Sequence, residues 1–170
     1  MQSMLHWAMA PALTGSILCV LKAQQYDWKT SPEPKGIWMY RHKSLGLLTA
    51  IIAVPRIMTK LSAPAVAAVS GPAGIQMAAR LSHSALYGFM GVMAVTGVAM
   101  GIFSGKGLPF FVTTVAEGGP KIDAVSGTSY KVHTFIGHNF KYIVPLHIGA
   151  AGYHAGMGHK VFARINPFGG

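Results

Sequence analysis

His133 and His147 stand fourteen residues apart in the last long apolar stretch of the chain. At 1.5 Å and about 100° per residue, that spacing is roughly 21 Å along a helix with a net rotation of about 40°. Both imidazoles therefore face the same way at two different depths. His6 opens the first apolar stretch and His42 the second, so in antiparallel helices these two also lie at opposite depths. Imidazole is a common metal ligand, and two axial imidazoles saturate a haem iron. The spacing points to two stacked bis-histidine haem sites inside a helix bundle. With no open iron position, the chemistry expected there is outer-sphere electron transfer rather than oxygen or peroxide activation. The single cysteine, Cys19, excludes both an internal disulfide and the C-x-x-C-H attachment of c-type haem. Any haem is held by ligation alone, as haem b.

The elements that must position these histidines follow from composition. The chain has 170 residues, 51% of them hydrophobic and 11% charged, which is too apolar for an ordinary soluble surface. Stretches near 20 residues able to cross a hydrocarbon core of about 30 Å fall at approximately 5–22, 38–58, 81–103 and 131–156. The third is clearest, with no charge between Arg80 and Lys106, whereas the second spans only if Arg41, Lys43 and Arg56 snorkel. The period-two alternation of a membrane barrel is absent. The fold expected is all-α, an integral membrane four-helix transmembrane bundle, with residues 1–170 forming a single transmembrane domain. The first stretch lacks the basic start of a signal peptide and carries His6 and Trp7 at its head, so it reads as helix one.

A formal net charge of +10 would suggest nucleic acid in a soluble chain. Here the basic residues sit in short loops beside the helices, so no nucleic-acid partner is expected. They meet membrane lipid headgroups, with cardiolipin a candidate. All four acidic residues, Asp27, Glu33, Glu117 and Asp123, fall in the first and third loops with most of the lysines. The second loop, Thr59 to Ala79, is rich in alanine, proline and glycine and is expected to run along the membrane surface. The third, Gly105 to Tyr130, has a turn-forming composition, and its Pro109-Phe110-Phe111 is expected to dip back into the interface.

The side chain at i+4 shares the face of a histidine ligand, where a porphyrin edge needs space. His6 is followed by Ala10, His42 by Gly46, His133 by Gly137 and His147 by Ala151, all small. His83 and His138 are followed by Tyr87 and Tyr142, which would crowd a porphyrin. His83 and Tyr87 read instead as a hydrogen-bonded structural pair. His138, about 180° around the helix from His147, reads as facing headgroups or another helix. His154 keeps nearly the face of His147 seven residues on, where a quinone headgroup or a haem propionate could use it. Arg41 and Lys43 flank His42 and are candidates to pair propionates. Lys141 must snorkel or meet an anion, and Pro145 is expected to kink the last helix just before His147.

The strings Leu5-His6-Trp7, His42-Lys43-Ser44-Leu45-Gly46, Leu81-Ser82-His83 running to Tyr87, Thr96-Gly97, and Leu146-His147 running to Tyr153-His154 resemble the bacterial-type cytochrome b561 family. So does the order of Arg56, Pro64 and Pro72 in the second loop. The resemblance covers nearly the whole chain. It implies a four-helix diheme b-type cytochrome moving electrons between a donor and quinone, some members oxidising superoxide and passing the electron to ubiquinone. Carried over by position, it implies that His6 with His147 holds one haem and His42 with His133 the other. The short leader before His6, the extra His138 and Lys141 depart from the pattern.

The function expected is that of a membrane diheme cytochrome, superoxide oxidase-like if it is an enzyme, in a bacterial or mitochondrial inner membrane. The lysine-rich face suits an anionic donor such as superoxide. The alternative is a structural or accessory subunit, haem-bearing or haem-free, of a larger respiratory membrane complex. That alternative would bring other respiratory complex subunits as partners.

Overall fold

Lipid offers backbone groups no hydrogen-bond partner, so a chain this apolar closes its backbone bonds within helices. The computed structural model describes residues 2–62 and 72–168. Its four long helices are α1 Gln2–Ala23, α2 Pro32–Ser62, α3 Ala73–Phe103 and α4 Asp123–Gly156. A short antiparallel hairpin, β1 Leu108–Phe110 with β2 Thr113–Ala116, stands between α3 and α4, and a 3-10 turn follows at Phe162–Ile165.

All four helices start earlier than the apolar runs suggest, at Gln2, Pro32, Ala73 and Asp123 rather than residues 5, 38, 81 and 131. Apolarity marks the part of a helix that lies in hydrocarbon, whereas its hydrogen bonding continues into polar residues beyond. Pro32 fits a first helical turn, where a missing N–H costs nothing. Glu33 and Asp123, in the first turns of α2 and α4, favour the positive end of the helix dipole. The second loop is correspondingly shorter than expected, since α2 runs to Ser62 and α3 resumes at Ala73. Pro64 lies outside the described residues. α4 continues through Pro145 unbroken.

By length and composition, α1, α2 and α3 are each apolar enough to cross a membrane. α4 is longer, at 34 residues, but its histidines, Asn139 and Lys141 dilute its apolarity, and it lies along α3. α1 packs along α2 in the same way, and the two pairs meet through α2 and α3. Large apolar side chains point outward, among them Leu18, Val54, Val95 and Phe135 at 60–71% exposed. Such an outer surface suits lipid rather than water. The core cluster is thin and takes one buried residue from each helix: Met9, Ala53, Met90 and Phe140. Phe89 meets Phe140 edge-to-face at 6.0 Å. On α4, Phe140 lies seven residues from both His133 and His147, so this layer sits about 10 Å along the helix from each.

The third loop, expected from its turn-forming composition, contains this hairpin, whose tip residue Phe111 is clamped onto α2. The Phe111 N–H donates to Ser44 Oγ at 3.0 Å, and the Tyr40 hydroxyl donates to the Phe111 carbonyl at 2.7 Å. These bonds hold Phe111 at φ +52°, a conformation that costs a non-glycine residue about 1 kcal/mol. Ser44, at 1% exposed, is thereby partnered despite its burial.

Candidate functional site

α2 and α4 bring His42 and His133 together edge-to-face, with ring centroids 6.2 Å apart and ring planes at 78°. Two imidazoles on opposite sides of one metal ion, at about 2 Å per metal–nitrogen bond, hold their centroids about 6.3 Å apart. The observed separation matches that span.

Each ring is oriented from a neighbouring helix. The Nδ1 of His42 lies 3.0 Å from the Ser16 carbonyl, which can only accept, so Nδ1 carries the proton. Ser16 Oγ, 2.9 Å from the same nitrogen, in turn donates to the His42 carbonyl. On the other side, the Thr96 hydroxyl donates to the Val92 carbonyl at 2.6 Å, leaving its oxygen to accept from His133 Nδ1 at 2.9 Å. Both imidazoles are thus held with Nδ1 protonated and the Nε2 lone pair free. That is the arrangement in which an outer partner fixes the tautomer and raises ligand basicity. A Cβ added at Gly97 would come within 3.3 Å of His133 Cε1, so glycine there lets the ring lie close against α3. The donor set, the separation and the close approach at Gly97 fit a bis-histidine haem.

The other end gathers three histidines. His6 is within electrostatic range of Arg56, His83 and His147. His147 meets His83 edge-to-face at 5.3 Å. The expected His83–Tyr87 bond is not formed: His83 Nδ1 donates to the Ala79 carbonyl at 2.8 Å, and the Tyr87 ring lies 5.9 Å from the Arg56 guanidinium. Arg56 Nη2 donates to His6 Nδ1 at 3.2 Å, and Nη1 donates to the Gln2 carbonyl at 2.9 Å. A neutral His6 therefore carries its proton on Nε2, the opposite tautomer to His42 and His133. The imidazoles at this end are suitable donors, but His6 can offer Nε2 only once Arg56 releases Nδ1.

The remaining candidates spread around these two ends. Arg41 is exposed, its guanidinium 4.7 Å from the Trp38 ring. Lys43 is half-buried and within electrostatic range of Lys106. His138 is exposed on α4, and Lys141 lies over the Tyr142 ring at 5.0 Å. His154 is paired with His159, Nδ1 to Nδ1 at 3.1 Å. Ser16, Thr96 as a histidine partner, Arg56 as a partner of His6, and His159 were not singled out by sequence reasoning. Only His159 had a local signal: a histidine five residues after His154, just beyond a glycine.

Among the described residues, no three His, Cys, Asp or Glu side chains converge as a metal cluster. A family model described as prokaryotic cytochrome b561 matches residues 2–167. No curated protein matches the chain.

Proposed function

Because the chain belongs to the prokaryotic cytochrome b561 family, whose members are multi-pass membrane b-type cytochromes that bind haem b and transfer electrons, we propose that its electron path uses two haems. His42 and His133 hold one, and His6 and His147 the other. The observation that carries this reading is the His42–His133 pair: a 6.2 Å separation with both Nδ1 protons committed to Ser16 and Thr96.

Bound haem supplies a one-electron couple at each end, and the chain's own residues set orientation, charge and access. Ser16 and Thr96 fix the His42 and His133 rings. Arg56 is placed to leave His6 and pair a propionate, since a guanidinium recognises carboxylate by paired hydrogen bonds. Lys43, with Lys106 near it and Arg41 beside His42, makes one end electropositive and suited to an anionic donor such as superoxide. At the other end, His154 lies one heptad beyond His147 on α4 and is the candidate contact for a quinone headgroup entering from lipid.

A reduced-minus-oxidised optical spectrum of the purified protein, with haem quantified per chain, tests the reading. Low-spin b-type bands with about two haems per chain are expected. One haem per chain would refute the diheme path and leave the His42–His133 site alone. For the donor, haem reduction by superoxide that is unchanged after Lys43→Gln would refute the steering role.

A further inference from the structure

Helix α4 ends in a turn that points two histidines at each other. The Gly158 N–H donates to the Ala155 carbonyl at 3.0 Å, and the His159 N–H donates five residues back to the His154 carbonyl at 3.0 Å. Gly158 carries the reversal at φ +80°, which an L side chain rarely adopts. This pair of bonds is the Schellman motif, in which the third residue from the helix end and the second residue beyond it come into contact. Here both positions are histidine, with the Nδ1 atoms 3.1 Å apart and the ring centroids at 5.3 Å. The rings meet nitrogen to nitrogen through one shared proton, so one Nδ1 donates and the other accepts. When both rings are neutral, the donor has a bare Nε2 and the acceptor carries its own proton on Nε2.

We propose that His154 and His159 form a two-imidazole relay that hands one proton from water to a quinone bound at His154. The inference rests on the quinone contact proposed above. In the resting pair His159 donates from Nδ1, so His154 presents Nε2–H, the donor that a quinone carbonyl needs. As the cytochrome delivers two electrons to the quinone, one carbonyl oxygen takes the Nε2 proton of His154 and becomes a hydroxyl. His154 Nδ1 takes the shared proton from His159, and His159 Nε2 takes a proton from water. The second carbonyl, on the far side of the quinone ring, is protonated directly from water, so one quinone, two electrons and two protons give one quinol. The new hydroxyl then faces a bare Nε2 on His154, an acceptor matched to it. Once the quinol leaves, exchange with water returns the pair to its starting tautomers.

The surroundings of the pair favour a relay over a packing contact. Neither Nε2 is bonded, and no buried side-chain nitrogen among the described residues lacks a partner, so both reach the surface. Tyr153, edge-on to the His154 ring at 5.7 Å, and Met157 one turn on are exposed, which gives His154 an apolar flank toward lipid. His159 instead stands beyond the helix end, next to the exposed Lys160. It is held there by its own N–H bond and by the Val161 N–H, which donates to its carbonyl at 2.7 Å. Asp27, Glu33, Glu117 and Asp123 all lie at the opposite end of the bundle, so no Asp or Glu serves protons here. Imidazole is the side chain suited to taking up and releasing protons near neutral pH.

The test follows haem reoxidation when reduced, haem-loaded, detergent-purified protein is mixed with decylubiquinone, in H2O and in D2O. The parent should be slower in D2O. His159→Gln keeps an amide N–H that can bond His154 Nδ1 but does not pass a proton on. Its maximal rate should fall by about tenfold or more, with the half-saturating quinone concentration little changed and the rate restored by added imidazole. His154→Ala should raise the half-saturating concentration, and His138→Ala, which removes an exposed histidine of the same helix, should behave as the parent. With 15N-labelled histidine, the reduced parent should show the two Nδ1 nuclei coupled through the shared proton, a readout independent of turnover. Parent-like reoxidation by His159→Gln with an impaired His154→Ala would overturn the relay and leave the quinone contact standing. Parent-like reoxidation by both variants would overturn the quinone contact as well. A slow His159→Gln that imidazole does not rescue, a parent equally fast in D2O, or uncoupled Nδ1 nuclei would each overturn the relay.

Discussion

Replacing Gly97 by alanine is expected to disturb the haem proposed for His42 and His133 while sparing the one proposed for His6 and His147. The added Cβ would lie 3.3 Å from His133 Cε1 and 3.8 Å from Nδ1. Ordinary carbon contacts fall at about 3.5–4.0 Å, so the ring must give by a few tenths of an ångström. It has little freedom, being tied by the 2.9 Å bond to Thr96 on one side and, on the proposed reading, by haem iron on the other. Small overpacking of this kind costs about 1 kcal/mol, and the two further methyls of Gly97→Val bring the cost to about 2–3 kcal/mol. If 1 kcal/mol falls on only one oxidation state, the midpoint potential of that haem moves by about 40 mV. The assay is an optically monitored redox titration with haem counted per chain. Gly91→Ala is the control on the same helix, because a Cβ there meets nothing within 4 Å. The reasoning fails if Gly97→Val retains both haems at unchanged potentials, or if Gly97→Ala and Gly91→Ala behave alike.

Thr96→Val removes the hydroxyl that accepts from His133 Nδ1 at nearly constant shape and should weaken haem binding at that end by about tenfold, since the Met93 carbonyl remains within reach of the ring. Ser16→Ala likewise leaves the Ser16 carbonyl accepting from His42 and should weaken binding to a similar extent; haem retention during dialysis against apomyoglobin measures both. His6→Ala is expected to lose one haem while His83→Ala retains both, and the opposite result would make His83 rather than His6 the partner of His147. Ser44→Ala strands the Phe111 N–H and should lower stability by about 1–3 kcal/mol. It would be read as a lower melting temperature and faster proteolysis at the hairpin, with the haem spectrum unchanged.

The parts of this fold legible in sequence were those governed by a single helix. The fourteen-residue spacing of His133 and His147 needed only helical geometry, and the apolar runs located all four helices. Their starts were not legible, because α2 and α4 extend through polar turns that hydropathy does not score. Contacts between helices were harder to read. Ser16 and His42 are 26 residues apart, and Thr96 and His133 are 37 apart, with no local pattern joining them. The small residues at i+4 from the histidines were read as room for a porphyrin, yet at least two also serve helix packing. A Cβ at Gly46 would meet Ser16 Oγ at 3.5 Å, and one at Gly137 would meet Met93 Cε at 3.4 Å. Arg56 read as a snorkelling charge at the membrane edge, but its bonds to Gln2 and His6 tie α2 to α1.

The layer of Met9, Ala53, Met90 and Phe140 bears on how this protein matures. It joins all four helices at mid-depth using buried side chains alone, so the bundle has a waist that requires neither prosthetic group. On the diheme reading proposed above, each end would receive its haem onto a scaffold already joined at its middle, and the order of loading would depend on which end presents its histidines ready. His42 and His133 already do so, whereas His6 first has to part from Arg56.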